Sequence, residues 1–346
     1  MGILPRDTYS MRRDKLREGM HWNAYLSASA INNPVRRWKQ KFVLRGMKGM
    51  GVLSGEKYEA LQNKLQAYMQ LGRYLPPFPG SPGKKDYLAI LACVKNEAPY
   101  IREWIEYHRL QGVESFYLLN NESADNLGEV LAPYVADGTV VLSRSIPGLG
   151  LQIASYNAAL VAYGDFARWL AIIDCDEFLL PMREGERVAD ILKDFESYPA
   201  LALNMRMFDT NRHVEKPPGL VIENYTRCVN DQYVKCIVDP KRTIGCLVHN
   251  HYYDAGAQAV SEDFTPCPHS FSTAYMESRL RINHYFTKSL AEYRAKLART
   301  DASIGAVKPI DEKRINRPNG VEDTVILRWL PALRAAMEHN AQPVQK

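Results

Sequence analysis

The chain has 346 residues, 46% of them apolar and 24% charged, with a formal net charge of +5. That is ordinary globular composition, with length enough for one large domain with additions or for two domains. No uninterrupted apolar run reaches membrane-spanning length, and the six cysteines include no C-x-x-C spacing, which removes the usual zinc-site signature.

The charge is uneven. Residues 1–50 carry eleven Lys/Arg against Asp7, Asp14 and Glu18, a net +8, which leaves −3 for the remainder. Residues 1–75 read as a basic, mainly helical extension. The segment Val35 to Leu44 mixes basic residues with Trp38, Phe42 and Val43. It could lie on an anionic membrane surface with those apolar residues inward, or pack as a solvated extension on the main domain. Nucleic acid is not expected, because basic residues alone do not specify it. The first residues lack the apolar core of a signal peptide. The expected location is cytoplasmic, with peripheral contact at the inner face of the membrane as an option.

Residues 76–85, rich in proline and glycine, read as a linker and place a domain boundary there. From 86 to 300 the pattern alternates strand and helix, and 301–346 reads as a C-terminal helical tail. Tyr87 to Val94 is an apolar strand ending in Lys95-Asn96-Glu97. Pro99 suits a helix's first turn, and Ile101, Trp104, Ile105 and His108 follow at helical spacing up to Gly112. Phe116 to Leu119 is a second strand, ending in the polar run Asn120 to Asn126. A helix through Leu127, Val130, Leu131 and Tyr134 ends near Asp137-Gly138. Thr139 to Leu142 is a third strand and Ile153 to Tyr163 a helix. Strands separated by single helices imply right-handed crossovers and a mostly parallel sheet. Ligands of such sheets bind at the carboxyl ends of the strands. Neither G-x-G-x-x-G nor a Walker loop follows the first strand.

The next stretch, Leu170 to Leu180, runs from apolar residues into Asp174-Cys175-Asp176-Glu177 and back into apolar residues. It reads as a buried strand. On an extended backbone Asp174 and Asp176 point the same way. Paired carboxylates suit Mg²⁺ or Mn²⁺, which complete their shell with water and substrate phosphates. Cys93 and Cys175 fall in apolar strands and read as buried free thiols.

Several of these segments resemble known sequences. They are Cys93 to Glu97 with Glu103 to His108, then Tyr117 to Asp125, then Ile172 to Phe178. Further on come Ile282 to Ser289 with Tyr293 and Lys296. Together they resemble the family 2-like and family 92 glycosyltransferases over roughly residues 87–300. The resemblance implies a GT-A type fold: a Rossmann-like, mostly parallel sheet flanked by helices. It implies a nucleotide-diphosphate sugar donor, with a UDP-sugar the first choice, and a metal held by Asp174 and Asp176, with Asp176 the more direct ligand. Lys95, Asn96, Glu97, Asn120, Asn121, Asp125 and Asp174 would bind the donor. His284 and His249 are candidates for a further metal ligand. Lys288 would assist the leaving diphosphate, while Lys235 and Arg242 read as surface charges. Inversion is favoured and needs a general base. By position Asp209, Asp231, Glu262 and Asp263 qualify, with Asp263 preferred and Asp209 second. Residues Asn204 to Asn211 depart from the relatives' pattern where the acceptor is expected to sit. The acceptor is expected to be a glycan or a lipid-linked sugar. A sugar nucleotidyltransferase and a non-catalytic nucleotide-sugar-binding module are the competing readings.

Overall fold

The computed structural model describes residues 48, 55–78, 85–148, 150–298, 309–317 and 319–339. The basic segment 1–50 and its membrane contact therefore lie outside the described residues, apart from Lys48. From residue 55 the described chain runs through α1 (Gly55–Leu71) and then alternates through β1 (Asp86–Val94), α2 (Ile101–Leu110), β2 (Ser115–Asn120), α3 (Leu127–Ala136), β3 (Val140–Leu142), α4 (Gln152–Tyr163) and β4 (Ala167–Ile172). After β4 come β5 (Glu177–Pro181), β6 (Ala200–Phe208), β7 (Arg227–Val238), β8 (Leu280–His284), α5 (Leu290–Leu297) and α6 (Leu330–His339).

Strands β3, β2, β1 and β4 lie side by side and parallel, with Ile90 opposite Phe116 and Leu91 opposite Ile172. Strand β7 then runs antiparallel to both β4 and β6. Strand β8 lies parallel to β6 and antiparallel to β5. The result is the expected mixed, mostly parallel sheet flanked by helices. Both faces are buried, and β1 shows why its sequence is apolar throughout. Leu88, Ile90, Ala92 and Val94 face one core layer with Trp104 and Ile105 of α2, whereas Ala89 and Leu91 face the other with Tyr156 and Leu160 of α4. Gly112 ends α2 at φ +88°, and a Cβ there would lie 2.7 Å from the Ala189 Cβ.

The described residues on the amino-terminal side of the expected boundary pack against the sheet. Helix α1 lies against α4, with Leu61, Leu65 and Leu71 buried and the Lys64 ammonium donating to the Thr243 carbonyl at 3.2 Å. Phe78 stacks on Phe166 at 4.3 Å, and the Tyr163 hydroxyl donates to the Pro76 carbonyl. Residues 55–78 thus form one body with the sheet.

The aspartates follow the end of a strand, as expected, but not on an extended backbone. Residues 173–176 turn between β4 and β5, closed by the Glu177 N–H donating to the Asp174 carbonyl at 3.0 Å. The Glu177 carboxylate accepts the Asp174 N–H in return, at 3.0 Å. The two aspartates are therefore presented by a turn and do not alternate along a strand.

Candidate active site

The turn opens into a cleft of about 570 Å³, lined by Lys95 and Glu97 after β1, Asn121 after β2, and Asp174 to Glu177 after β4. Each carboxylate there meets a different set of donors. Asp174 is held from three sides: Gln152 and Tyr156 of α4 donate to Oδ1 at 3.1 and 3.3 Å, and Lys235 of β7 donates to Oδ2 at 2.9 Å. Burial alone would raise its pKa, but Lys235 outweighs that and holds it below the ordinary range. Glu177 is fully buried, and burial pushes it up to about 7 against the pull of the same lysine, whose Nζ lies 3.7 Å away. Asp176 accepts from Lys296 of α5, and the His284 Nε2 lies 3.4 Å from its Oδ1. Burial opposes its ionisation, yet Lys296 and then His284 keep it well below the ordinary range. Lys296 also sits over the Phe286 ring at 3.9 Å.

Among the described residues, no group of three or more His, Cys, Asp or Glu side chains is placed to hold a metal. A two-ligand site is a different matter. Neighbouring ligands of an octahedral ion with bonds of about 2.1 Å sit about 3 Å apart, and Asp176 Oδ1 and His284 Nε2 are 3.4 Å apart. That pair fits an ion that brings its remaining ligands as water and phosphate. Asp174, held by Gln152, Tyr156 and Lys235, orients the turn that presents Asp176.

The glycosyltransferase family 92 model matches residues 89–299, a span that includes all of these acids and lysines. The chain belongs to glycosyltransferase family 92. Family 92 proteins of Arabidopsis thaliana and Ricinus communis are 25% and 28% identical to it over 236 and 224 residues, covering 64% and 60% of this chain. The chain spans only 39% and 37% of those relatives' length. A mannosyltransferase from Pyrobaculum calidifontis, solved with GDP-mannose and Mn²⁺, is similar at a TM-score of 0.27 and 18% identity, over 42% of this chain and 44% of that one.

In this family 92 chain the sequence-derived site residues divide by position. Lys95, Glu97, Asn121, Asp174, Asp176, His249 and His284 line the cleft. Asn96, Asn120 and Asp125 instead clasp the two loops that frame it. Asn96, at φ 55°, accepts the Ala124 N–H, Asn120 accepts the Ser123 N–H, and Asp125 accepts the Ala98 and Leu127 N–H groups. His249 donates from Nδ1 to the Val234 carbonyl and stacks on Tyr233, which leaves its Nε2 unassigned on the wall of the same cleft.

The base candidates are placed just as unevenly. Asp263 is exposed and caps its own turn through Ser261 and Thr265. Asp209 is buried against Arg227 and accepts the Asn211 and Arg317 N–H groups. Glu262 accepts three backbone N–H groups at residues 278–280. Of the four, only Asp231 lines the cleft.

The basic residues also change places. Lys288 is buried beside Glu97, 3.9 Å away, with its ammonium over the Tyr100 ring, and it is not among the lining residues. Arg242 is engaged with Asp254 and the Ser197 carbonyl. Lys235, expected at the surface, is a buried cation of the cleft. Its signal was available in the sequence: Val234-Lys235-Cys236-Ile237-Val238 is a charge in an apolar run, the same feature that marks Asp174. Gln152 and Tyr156 carried no comparable signal.

Proposed function

We propose that this chain transfers a glycosyl group from a nucleotide-diphosphate sugar to an acceptor hydroxyl, using Mn²⁺ or Mg²⁺ within a GT-A type fold, with inversion. UDP-sugars are the first donors to test, and the acceptor is a glycan or a lipid-linked sugar. The observation that carries the reading is the convergence of Asp176 and His284, 3.4 Å apart, in the cleft at the carboxyl ends of β1 and β4. Two ionised aspartates are offset there by Lys235 and Lys296. A divalent cation and a diphosphate can enter together at little net change in buried charge.

Asp176 and His284 would hold the cation, which when bound supplies Lewis-acid stabilisation of the departing diphosphate. Lys296, which pairs with the other carboxylate oxygen of Asp176, would donate a further N–H to a phosphate oxygen. Asp174, fixed by Gln152, Tyr156 and Lys235, keeps the turn in place. Asp231, on the cleft wall, accepts the proton of the acceptor hydroxyl. The acceptor oxygen then bonds to the anomeric carbon from the face opposite the diphosphate. The bond from that carbon to the diphosphate oxygen breaks, and its electron pair leaves with the diphosphate.

The test is release of nucleoside diphosphate from a panel of UDP- and GDP-sugars with Mn²⁺ and candidate acceptors. Asp231→Asn should lower transfer at least 100-fold, the scale of a lost general base, while nucleotide affinity stays within about twofold. Transfer at the parent rate in this variant would remove Asp231 from the mechanism.

A further inference from the structure

The acceptor side of the cleft has a feature that donor chemistry does not use. Strand β7 departs from its ladder with β6 at one point: Asn204 pairs with Val234 and Met205 with Asp231, so Gln232 and Tyr233 stand outside the register. Bulges of this kind re-aim side chains beside binding sites. Here the bulge turns Tyr233 to the lip of the cleft, where it is 38% exposed, next to Phe271 at 49%. The two rings are 4.2 Å apart, and His249 stacks on Tyr233 at 4.7 Å. The row is rigidly held. Tyr233 and Phe271 form a β-bridge, the Val234 N–H donates to the Ser270 carbonyl, and the Ser272 N–H donates to the Gln232 carbonyl. Asn204 donates to the Ser272 hydroxyl at 2.6 Å and anchors the bridge to β6.

Two large aromatic rings kept in water beside a reaction cleft mark a binding surface. We propose that Tyr233 and Phe271 form a platform for a pyranose ring of a glycan acceptor. This rests on the glycosyl-transfer reading above and names its substrate class. The axial C–H groups on one face of a pyranose carry partial positive charge and pack on the negative face of an aromatic ring. The hydroxyls around the sugar's edge need polar neighbours, and the platform is bordered by the exposed Asn230 and Gln232 and the part-exposed Ser270 and Ser272. A lipid chain would be poorly served by that border. Asp231 is two residues from Tyr233 and lines the same cleft, so a sugar seated on the platform presents its hydroxyls toward the base.

The experiment uses the full chain with Mn²⁺ and UDP or GDP. Binding is read on an array of plant, animal and bacterial oligosaccharides, and by saturation-transfer NMR for the glycans retained. Vesicles of phosphatidylcholine and phosphatidylglycerol form a second arm. The wild type should retain a subset of glycans. Phe271→Ala and Tyr233→Ala should each weaken that binding at least tenfold, and Phe271→Tyr should preserve it. In the Phe271 variants the thermal midpoint and nucleoside diphosphate affinity should match the parent. A wild type that retains no glycan, a Phe271→Ala protein that binds glycans like the parent, or vesicle binding that depends on these two rings would overturn the proposal. Lack of metal-dependent UDP and GDP binding in the wild type would instead overturn the transfer reading beneath it, and the two failures are read in separate channels.

Discussion

At the scale of single residues, Lys235 and His108 show how burial decides the behaviour of a charge. Lys235 is buried on β7 with its ammonium between Asp174 and Glu177. Lys235→Met would leave two carboxylates facing each other without their cation. The expected cost is about 3 kcal/mol, the low end for a broken buried pair because Asp174 still reaches water; chemical denaturation measures it, and a loss under about 1 kcal/mol would show that the pair contributes little. His108 lies in the core, donating from Nδ1 to the Trp104 carbonyl and accepting the Leu179 N–H at Nε2. Burial holds its pKa down at about 3. A depressed folded pKa gives stability that is full above the unfolded value near 6.5 and is lost as pH falls below it. This residue alone should remove about 2 kcal/mol between pH 7.5 and pH 5. In His108→Gln, whose amide can still accept the Leu179 N–H, the acid loss should shrink by that amount. An unchanged pH profile would mean that another group carries it. A charge interrupting an apolar run drew the reading to Asp174 and Asp176, which line the cleft, whereas the same signal at Lys235 was passed over. Residue chemistry was not legible for Gln152 or Tyr156, because polar residues on an amphipathic helix give no sign of which acid lies above them.

At the scale of elements, the strands and helices from Asp86 to Tyr163 follow the apolar periodicity closely, because both faces of the sheet are buried. Three features needed the structure. A turn at 173–176 takes the place of an extended strand end because Glu177 completes its hydrogen bonds locally. The polar runs after β1 and β2 satisfy each other across the gap, so Asn96, Asn120 and Asp125 hold loops. Asp125→Ala would orphan the Ala98 and Leu127 N–H groups, and should cost about 1–3 kcal/mol and loosen the cleft's rim. Amide exchange at Ala98 and Leu127 should rise with it, and unchanged exchange there would contradict the clasp. The prolines and glycines after residue 75 suggested a boundary, yet α1 packs under α4. Leu65→Ala should therefore destabilise the whole protein by about 2–5 kcal/mol in one cooperative transition. A separate early transition for α1 would show that it is an independent unit.

At the scale of the molecule, the net charge of +5 belongs to the amino-terminal segment, since residues 1–50 carry a net +8 and the remainder −3. No helix among the described residues is long and apolar enough to cross a membrane. The carboxyl ends of β1 and β4 deliver Glu97 and Asp174 to Glu177 to one cleft, that of β2 delivers Asn121, and the later strands β7 and β8 and helix α5 deliver Lys235, His284 and Lys296 to it. That convergence follows from topology: strand order places residue 235 beside residue 174, which no local pattern announces. The measurement that tests the account most directly is calorimetric binding of UDP and GDP, with Mn²⁺ and with chelator, to the intact chain and to Asp176→Ala. The account predicts binding to at least one nucleotide that needs the metal and falls at least tenfold in the variant. Binding that ignores the metal and the substitution, or no binding to either nucleotide, would contradict it.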